Sequence, residues 1–199
     1  MAAGIYVTIC IIAKNEAGML NLCLNSVSNL NYPKENLEIV VVDNNSIDAT
    51  ADIARRYPIK YVFENRIGRA VTRNRGIKES SGRMIAFIDA HCVVDKEWLS
   101  NIVGGLADVS VGGCGGTILS YKPQTATEKY HDYKISISQK KEKMPFVRKP
   151  FLYQIRNANA IYRKEILEKV GLYDESLITC EDIDLSWRIC LEGYQLKYI

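Results

Sequence analysis

Asp89 and His91 stand two positions apart at the end of a continuous apolar run, residues 84–88. Such a run reads as a strand covered on both faces. Side chains two apart in an extended chain project to the same side, so the carboxylate and the imidazole leave the strand's carboxyl end together. In open α/β sheets that edge is where ligands bind. A carboxylate beside an imidazole suits a divalent cation, and the cation suits a phosphate. The plainer reading is a turn-capping Asp89 and a surface His91.

Other candidates share this placement. The strand over 6–13 ends in Lys14-Asn15-Glu16, and the buried run 37–42 ends in Asp43-Asn44-Asn45-Ser46. An acid such as Asp43 can receive the hydroxyls or ring N–H groups of a nucleoside, or close an Asx turn on its own backbone. Arg66 and Arg73 carry guanidinium forks suited to phosphate, whereas Arg75 reads as a surface ion-pair partner. Glu181 and Asp182 fall in the first turn of a helix, where negative charge is stabilised. A carboxylate held rigid by a helix end makes a well-placed base. Thr179 with Asp182 equally fits a capping box.

The elements that must hold these residues alternate. Strands are expected over 6–13, 37–42, 60–63 and 84–88, and helices over 20–30, 48–57, 69–80 and 96–106, with Ser46 or Asp48 capping the second helix. That order predicts a parallel sheet covered by helices, and right-handed crossovers bring the polar strand ends to one edge. The run Gly112-Gly113-Cys114-Gly115-Gly116 fits neither a dinucleotide nor a Walker spacing, and reads as a tight entry to a strand. Residues 121–150 lack periodicity and turn basic between Lys134 and Lys149. They are expected to form a flexible loop, either a solvated face or an acceptor-binding flap touching anionic lipid headgroups. A strand over 153–162 interrupted at 156–159, a helix over 163–170 stopped by Gly171, and a helix opening at 179–188 follow. The chain stops inside a last strand begun at Tyr194, as a truncated chain would.

The 199 residues suffice for one domain with a sizeable core, and the net charge of +3 is too small to point to nucleic acid. The six cysteines include no CxxC pair. They read as buried reduced thiols of a cytoplasmic protein, not as a disulfide frame or a structural zinc site. No apolar run is long enough to cross a bilayer, and the N-terminus lacks a signal peptide's basic start.

Taken together and in order, the stretches Ile11-Ile12-Ala13-Lys14-Asn15-Glu16, Val41-Val42-Asp43-Asn44-Asn45-Ser46, Arg66-Ile67-Gly68, Arg73-Asn74-Arg75-Gly76, Phe87-Ile88-Asp89-Ala90-His91, Asn157-Ala158-Asn159-Ala160 and Glu181-Asp182 make a set. The set resembles the family 2 glycosyltransferases of the GT-A fold, over nearly the whole chain. The resemblance implies an α/β fold with a mostly parallel central sheet and helices on both faces. It implies one catalytic domain over 1–199, with a nucleotide-sugar-binding half at 1–95 and an acceptor-side half at 96–199. It implies a nucleoside-diphosphate-sugar donor (a UDP-sugar favoured), a glycan or lipid-linked acceptor, and a divalent metal, manganese or magnesium. By this analogy Ala13, Glu16 and Asp43 border the base and ribose, while Arg73 and Asp89, with Arg66, serve the diphosphate side. Asp89 and His91 take the positions of the DxD metal motif. Asp182 matches the acid that serves as general base in inverting members, with Glu181 beside it.

His91 departs from the commoner motif, which has Asp there. An imidazole still ligates manganese well, and a DxH motif followed by Cys is similar to that of the polypeptide N-acetylgalactosaminyltransferases, which retain configuration. Many relatives also supply a metal ligand beyond the strand that begins at Tyr194, and His131 is a poor substitute. The resemblance places the protein in the cytoplasm, with peripheral contact to the inner face of a membrane through residues 134–149. Two rivals stand beside it. A nucleotidyltransferase would need a glycine-rich triphosphate loop near the N-terminus, and residues 12–16 contain no glycine. The other rival is a non-catalytic sugar-nucleotide-binding or scaffold module.

Overall fold

The computed structural model describes residues 6–141 and 155–199. The first half alternates as expected: β1 (Val7–Ala13), α1 (Leu20–Ser28), β2 (Leu37–Asp43), α2 (Thr50–Ala54), β3 (Lys60–Phe63), α3 (Arg69–Glu79) and β4 (Met84–Asp89). The second half carries α4 (Trp98–Gly104), β5 (Val111–Gly115), α5 (Ala126–Lys141), β6 (Ala160–Arg163), α6 (Lys164–Lys169), α7 (Glu181–Leu191) and β7 (Gln195–Tyr198). Among the described residues the strands form one sheet in the order β3-β2-β1-β4-β6-β5-β7. The β1–β2, β1–β4, β2–β3 and β5–β7 pairs are parallel, whereas β6 runs antiparallel to both β4 and β5.

Strand alternation sorts the core into two layers. Ile9, Ile11, Ala86 and Ile88 face α1 and α4 through Leu20, Leu24, Val27, Leu99 and Ile102. Cys10, Val42 and Phe87 face the other side, where Ile77, Leu167, Leu185 and Ile189 of α3, α6 and α7 cover them. Around β1 and β4 both faces are therefore dry, which explains the apolar run of β4 and the largely apolar β1, where only Thr8 breaks the run and bonds Glu38.

Several local expectations need correction. Residues 121–150 are not all loop, because 126–141 form α5. Its start is a reciprocal cap: the Glu128 carboxylate accepts the Gln124 and Thr125 N–H groups, and Glu128 N–H donates to the Thr125 hydroxyl. The Thr-x-x-Glu spacing that signals this was present in the sequence; the helix went unseen because it has little apolar stripe. Residues 142–150 of that segment lie outside the described residues. The glycine run does not precede a strand but forms β5 itself. A Cβ on Gly113 would lie 2.6 Å from Cδ1 of Tyr162 and 3.1 Å from Leu196, so the neighbouring side chains already occupy the space. The α2 helix is shorter than 48–57, although Asp48 does receive the Thr50 N–H at 3.0 Å. Of the strand expected over 153–162, the interruption at 156–159 is present as a 3-10 turn, Asn157–Asn159, and the strand after it is β6, while residues 155 and 156 before it are not in a strand; residues 153 and 154 lie outside the described residues. All six cysteines are free, with Cys10, Cys23 and Cys114 buried, but Cys180 is exposed.

Close packing of this kind makes β5 intolerant of added volume. Gly113→Ala should destabilise the protein by about 1–3 kcal/mol, roughly 2–12 °C in melting temperature for a chain of this size. Gly104→Ala, where a Cβ meets nothing within 4 Å, should be neutral or slightly stabilising. Thermal denaturation of the two variants checks both outcomes.

Candidate active site

The registers put the candidate residues in a row. Ala13 pairs with Asp43 of β2, and Ile12 pairs with Asp89 of β4. The carboxyl ends of three adjacent parallel strands therefore carry Asp43, the turn into Lys14, and Asp89 at strand spacing. A cleft of about 250 Å³ opens above them, lined by Ala13, Lys14, Glu16, Asn44, Arg69, Thr72, Asp89 and His91. A wider groove of about 640 Å³ lies around Trp98, Asn101 and Lys197, on the α4 side of the sheet. It lacks the clustered acids, imidazole and arginine, so the chemistry belongs to the smaller cleft.

Asp89 is held from the side by Arg73. This guanidinium is 4% exposed; its Nη2 lies 3.4 Å from Asp89 Oδ1 and its Nη1 lies 2.5 Å from Glu181 Oε1. It also sits 5.8 Å over the Tyr173 ring. Tyr173 donates its hydroxyl to Asn157 Oδ1 at 2.8 Å, and its backbone is clasped on both sides by the Asn74 amide. These contacts pull α3, β4, the turn before β6 and the start of α7 onto one point. The antiparallel course of β6 matters here, because it delivers Asn157 to the carboxyl end of β4.

The start of α7 is not the expected capping box. Cys180 occupies the N-cap position at φ 63° and no side chain caps the helix. A non-glycine residue in that left-handed region costs about 1–2 kcal/mol. The bend turns Glu181 inward, where it is buried against Arg73, and leaves Asp182 half-buried beside it. Asp182 Oδ1 accepts the Ile183 N–H at 2.9 Å. Burial, and then the neighbouring Glu181 charge, push the Asp182 carboxyl above its ordinary range.

His91 places Nδ1 3.1 Å from Glu16 Oε1 and Nε2 4.0 Å from Asp89 Oδ2. Asp43 turns inward instead: it is 1% exposed, with Oδ1 accepting the Ser46 N–H and Oδ2 accepting the Tyr61 hydroxyl. Asp43 thus bonds its own following backbone, at Ser46, three residues on, and not at Asn45, where an Asx turn would close. Arg66 also stays out of the cleft lining, spread between Glu64 and Glu175. Arg75 pairs with Glu79 on the surface, as expected. The cations that do line the cleft are Lys14 and Arg69. Arg69 opens α3 directly after Gly68, with Thr72 and Arg73 three and four positions on and hence on the same face. That spacing was the available signal for Arg69. Cysteine chemistry is disfavoured: burial, followed by Asp89, raises the Cys92 thiol to about 11.

A mostly parallel sheet of this topology with helices on both faces is the GT-A fold. A mannosyltransferase, PcManGT from Pyrobaculum calidifontis in complex with GDP-Man and Mn2+, superimposes with a TM-score of 0.80 at 23% identity, covering 100% of this chain and 55% of that one. The S. aureus TarS 1-349 structure in complex with UDP-GlcNAc gives 0.73 at 19% identity, covering 98% and 58%. Residues 8–171 match the model of glycosyl transferase family 2, and the chain belongs to that family. Glycosyltransferase AglE of Haloferax volcanii is 31% identical over an alignment of 206 positions that covers 97% of this chain and 64% of that protein. The chain thus spans less than two thirds of each.

Arg73 is the member of the site most tightly bound to the fold. Arg73→Met should cost about 3–5 kcal/mol because it leaves Glu181 buried without its partner. The double variant Arg73→Met, Glu181→Leu should recover most of that loss. Urea denaturation midpoints of the two variants measure the difference.

Proposed function

We propose that the chain transfers a glycosyl group from a nucleoside-diphosphate sugar, a UDP-sugar favoured, to a hydroxyl of a glycan or lipid-linked glycan, with inversion at the anomeric carbon. The observation that carries this reading is the ion-pair chain Asp89–Arg73–Glu181, buried at Arg73 and Glu181 and open to the cleft at Asp89. It fixes the acid of the strand edge and the helix bearing Asp182 in one frame, which suits a donor held on one side and a base on the other. The nucleotide sugars in the two structural neighbours support the donor class.

A divalent ion, manganese or magnesium, fits Asp89 and His91. Ligands about 2.1 Å from one ion lie roughly 3–4 Å from each other, and the two donor atoms here are 4.0 Å apart. Among the described residues no three His, Cys, Asp or Glu side chains converge on one point. A protein share of two ligands, with phosphate oxygens and water completing the shell, is the habit of magnesium-type sites. Such an ion would neutralise charge on the departing diphosphate.

The chain's own groups do the rest. Lys14 and Arg69 flank the cleft and supply positive charge for the phosphates. The Asp182 carboxylate takes the acceptor hydroxyl's proton while that oxygen attacks the anomeric carbon. The bond from that carbon to the phosphate oxygen breaks, and its electron pair leaves with the nucleoside diphosphate. The raised pKa of Asp182 makes it a better base at neutral pH. For the acceptor side, Lys122 and Lys134 lie 5.1 and 5.8 Å over the rings of Tyr121 and Tyr130. This region is where a lipid-linked acceptor would be met.

Asp182→Asn should lower transfer about 10²–10⁴-fold while leaving UDP affinity, measured by calorimetry, within about threefold, less than a single hydrogen bond's contribution to binding. Normal transfer, or lost nucleotide binding, refutes the base assignment. The same substitution tests the pKa. A carboxyl raised by folding loses stability as pH climbs from its unfolded value, about 3.9, through its folded one. Wild type should therefore fall behind Asp182→Asn in melting temperature over that interval. For the donor site, titration with UDP-, GDP- and dTDP-sugars should show one nucleotide class binding with Mn2+ and not with chelator. Arg69→Ala should weaken that binding by about tenfold or more, the worth of a charge-assisted hydrogen bond.

A further inference from the structure

Glu16 was expected to border the nucleoside, yet its carboxylate is the partner of His91 Nδ1 at 3.1 Å. A carboxylate only accepts, so in the neutral imidazole the proton must sit on Nδ1 and the lone pair on Nε2. Nε2 is the nitrogen that stands 4.0 Å from Asp89 Oδ2. We propose that Glu16 is a positioning residue that locks His91 into the tautomer and ring orientation needed to present Nε2, with Asp89, to a divalent cation. This rests on the metal reading above.

The backbone around Glu16 is built for such a task. Asn15 sits at φ 55° and donates its N–H to the Ser46 hydroxyl, while its side-chain oxygen receives the Ile47 N–H. Glu16 N–H donates to the Thr50 hydroxyl at 2.8 Å, and Ala17 N–H donates to Asp48 Oδ2 at 3.1 Å. The Glu16 carbonyl receives the N–H groups of Met19 and Leu20, at the start of α1. An exposed loop so fully bonded holds the carboxylate in place before any ligand arrives. A histidine that ligates through one nitrogen gains basicity and a fixed orientation when a carboxylate takes the proton of the other. The arrangement gives a physical reason why an imidazole can stand where a second aspartate is commoner.

The chain has two histidines, so a long-range ¹H–¹⁵N spectrum, with His131→Gln for assignment, reads the His91 tautomer directly. At pH about 8.5, where ordinary imidazoles are neutral, wild type should show Nδ1–H. Glu16→Gln should keep it, since the amide oxygen still accepts, and Glu16→Ala should revert to the mixture of a solvated ring. Binding of Mn2+ alone, followed by electron paramagnetic resonance, should weaken about 10–100-fold in Glu16→Ala and much less in Glu16→Gln. An unchanged tautomer in Glu16→Ala overturns the proposal. So does Mn2+ binding that is lost in Asp89→Asn but unchanged in Glu16→Ala, and that outcome leaves the metal site itself standing. Absence of Mn2+ binding in wild type overturns both.

Discussion

A buried guanidinium between two carboxylates is the contact on which the rest of the site depends. Removing Arg73 and Glu181 from water is costly, and their pairing offsets it, with Asp89 joining from the cleft edge. The pairing therefore dictates geometry: α3, the end of β4 and the first turn of α7 must meet where Asp89, Arg73 and Glu181 meet. Tyr173 closes the lower side of the cluster, stacked edge-on against Phe87 at 5.8 Å between ring centroids. Asp182 inherits its position from this arrangement. Its neighbour is pinned inside, so it is left at the boundary with solvent and with a neighbouring negative charge.

The loops above the strand ends are tied together rather than left to hang. Asn44 donates to the Glu64 and Arg66 carbonyls and accepts from Gly68 N–H, which fixes the approach to α3. Asn74 does the same for the segment that leads to α7, through Tyr173 and Glu175. Two asparagines, Asn15 and Asn45, take the left-handed turns at the ends of β1 and β2, a conformation that residue tolerates well. Short polar side chains thus serve as cross-braces that hold the loops around the cleft in place.

Much of the fold was legible in local patterning. The runs of β1, β2 and β4 and the stripe Leu20, Cys23, Leu24 and Val27 announce a sheet covered on both faces, because burial on a strand or a helix face imposes a period on the residues that bear it. The α5 helix shows the converse: residues 126–134 are mostly exposed, so little imposes a period on them, and the Thr125–Glu128 cap is the signal that marks the helix. The glycines of β5 were misplaced because the space they save belongs to Tyr162 and Leu196, residues distant in sequence.

For the site the division is similar. Local sequence marked which acids and which imidazole stand at or next to the ends of elements, since polar residues that interrupt apolar runs mark strand and helix termini. Only the tertiary structure decided their employment. Asp43 and Arg66 are taken up by Tyr61, Ser46, Glu64 and Glu175, while Arg69 and Lys14 are left lining the cleft. Glu16 meets His91 across 75 positions of chain, and Arg73 meets Glu181 across 108. Hydrogen bonds and ion pairs act over about 3 Å, and no local pattern records which distant side chain will fall within that reach.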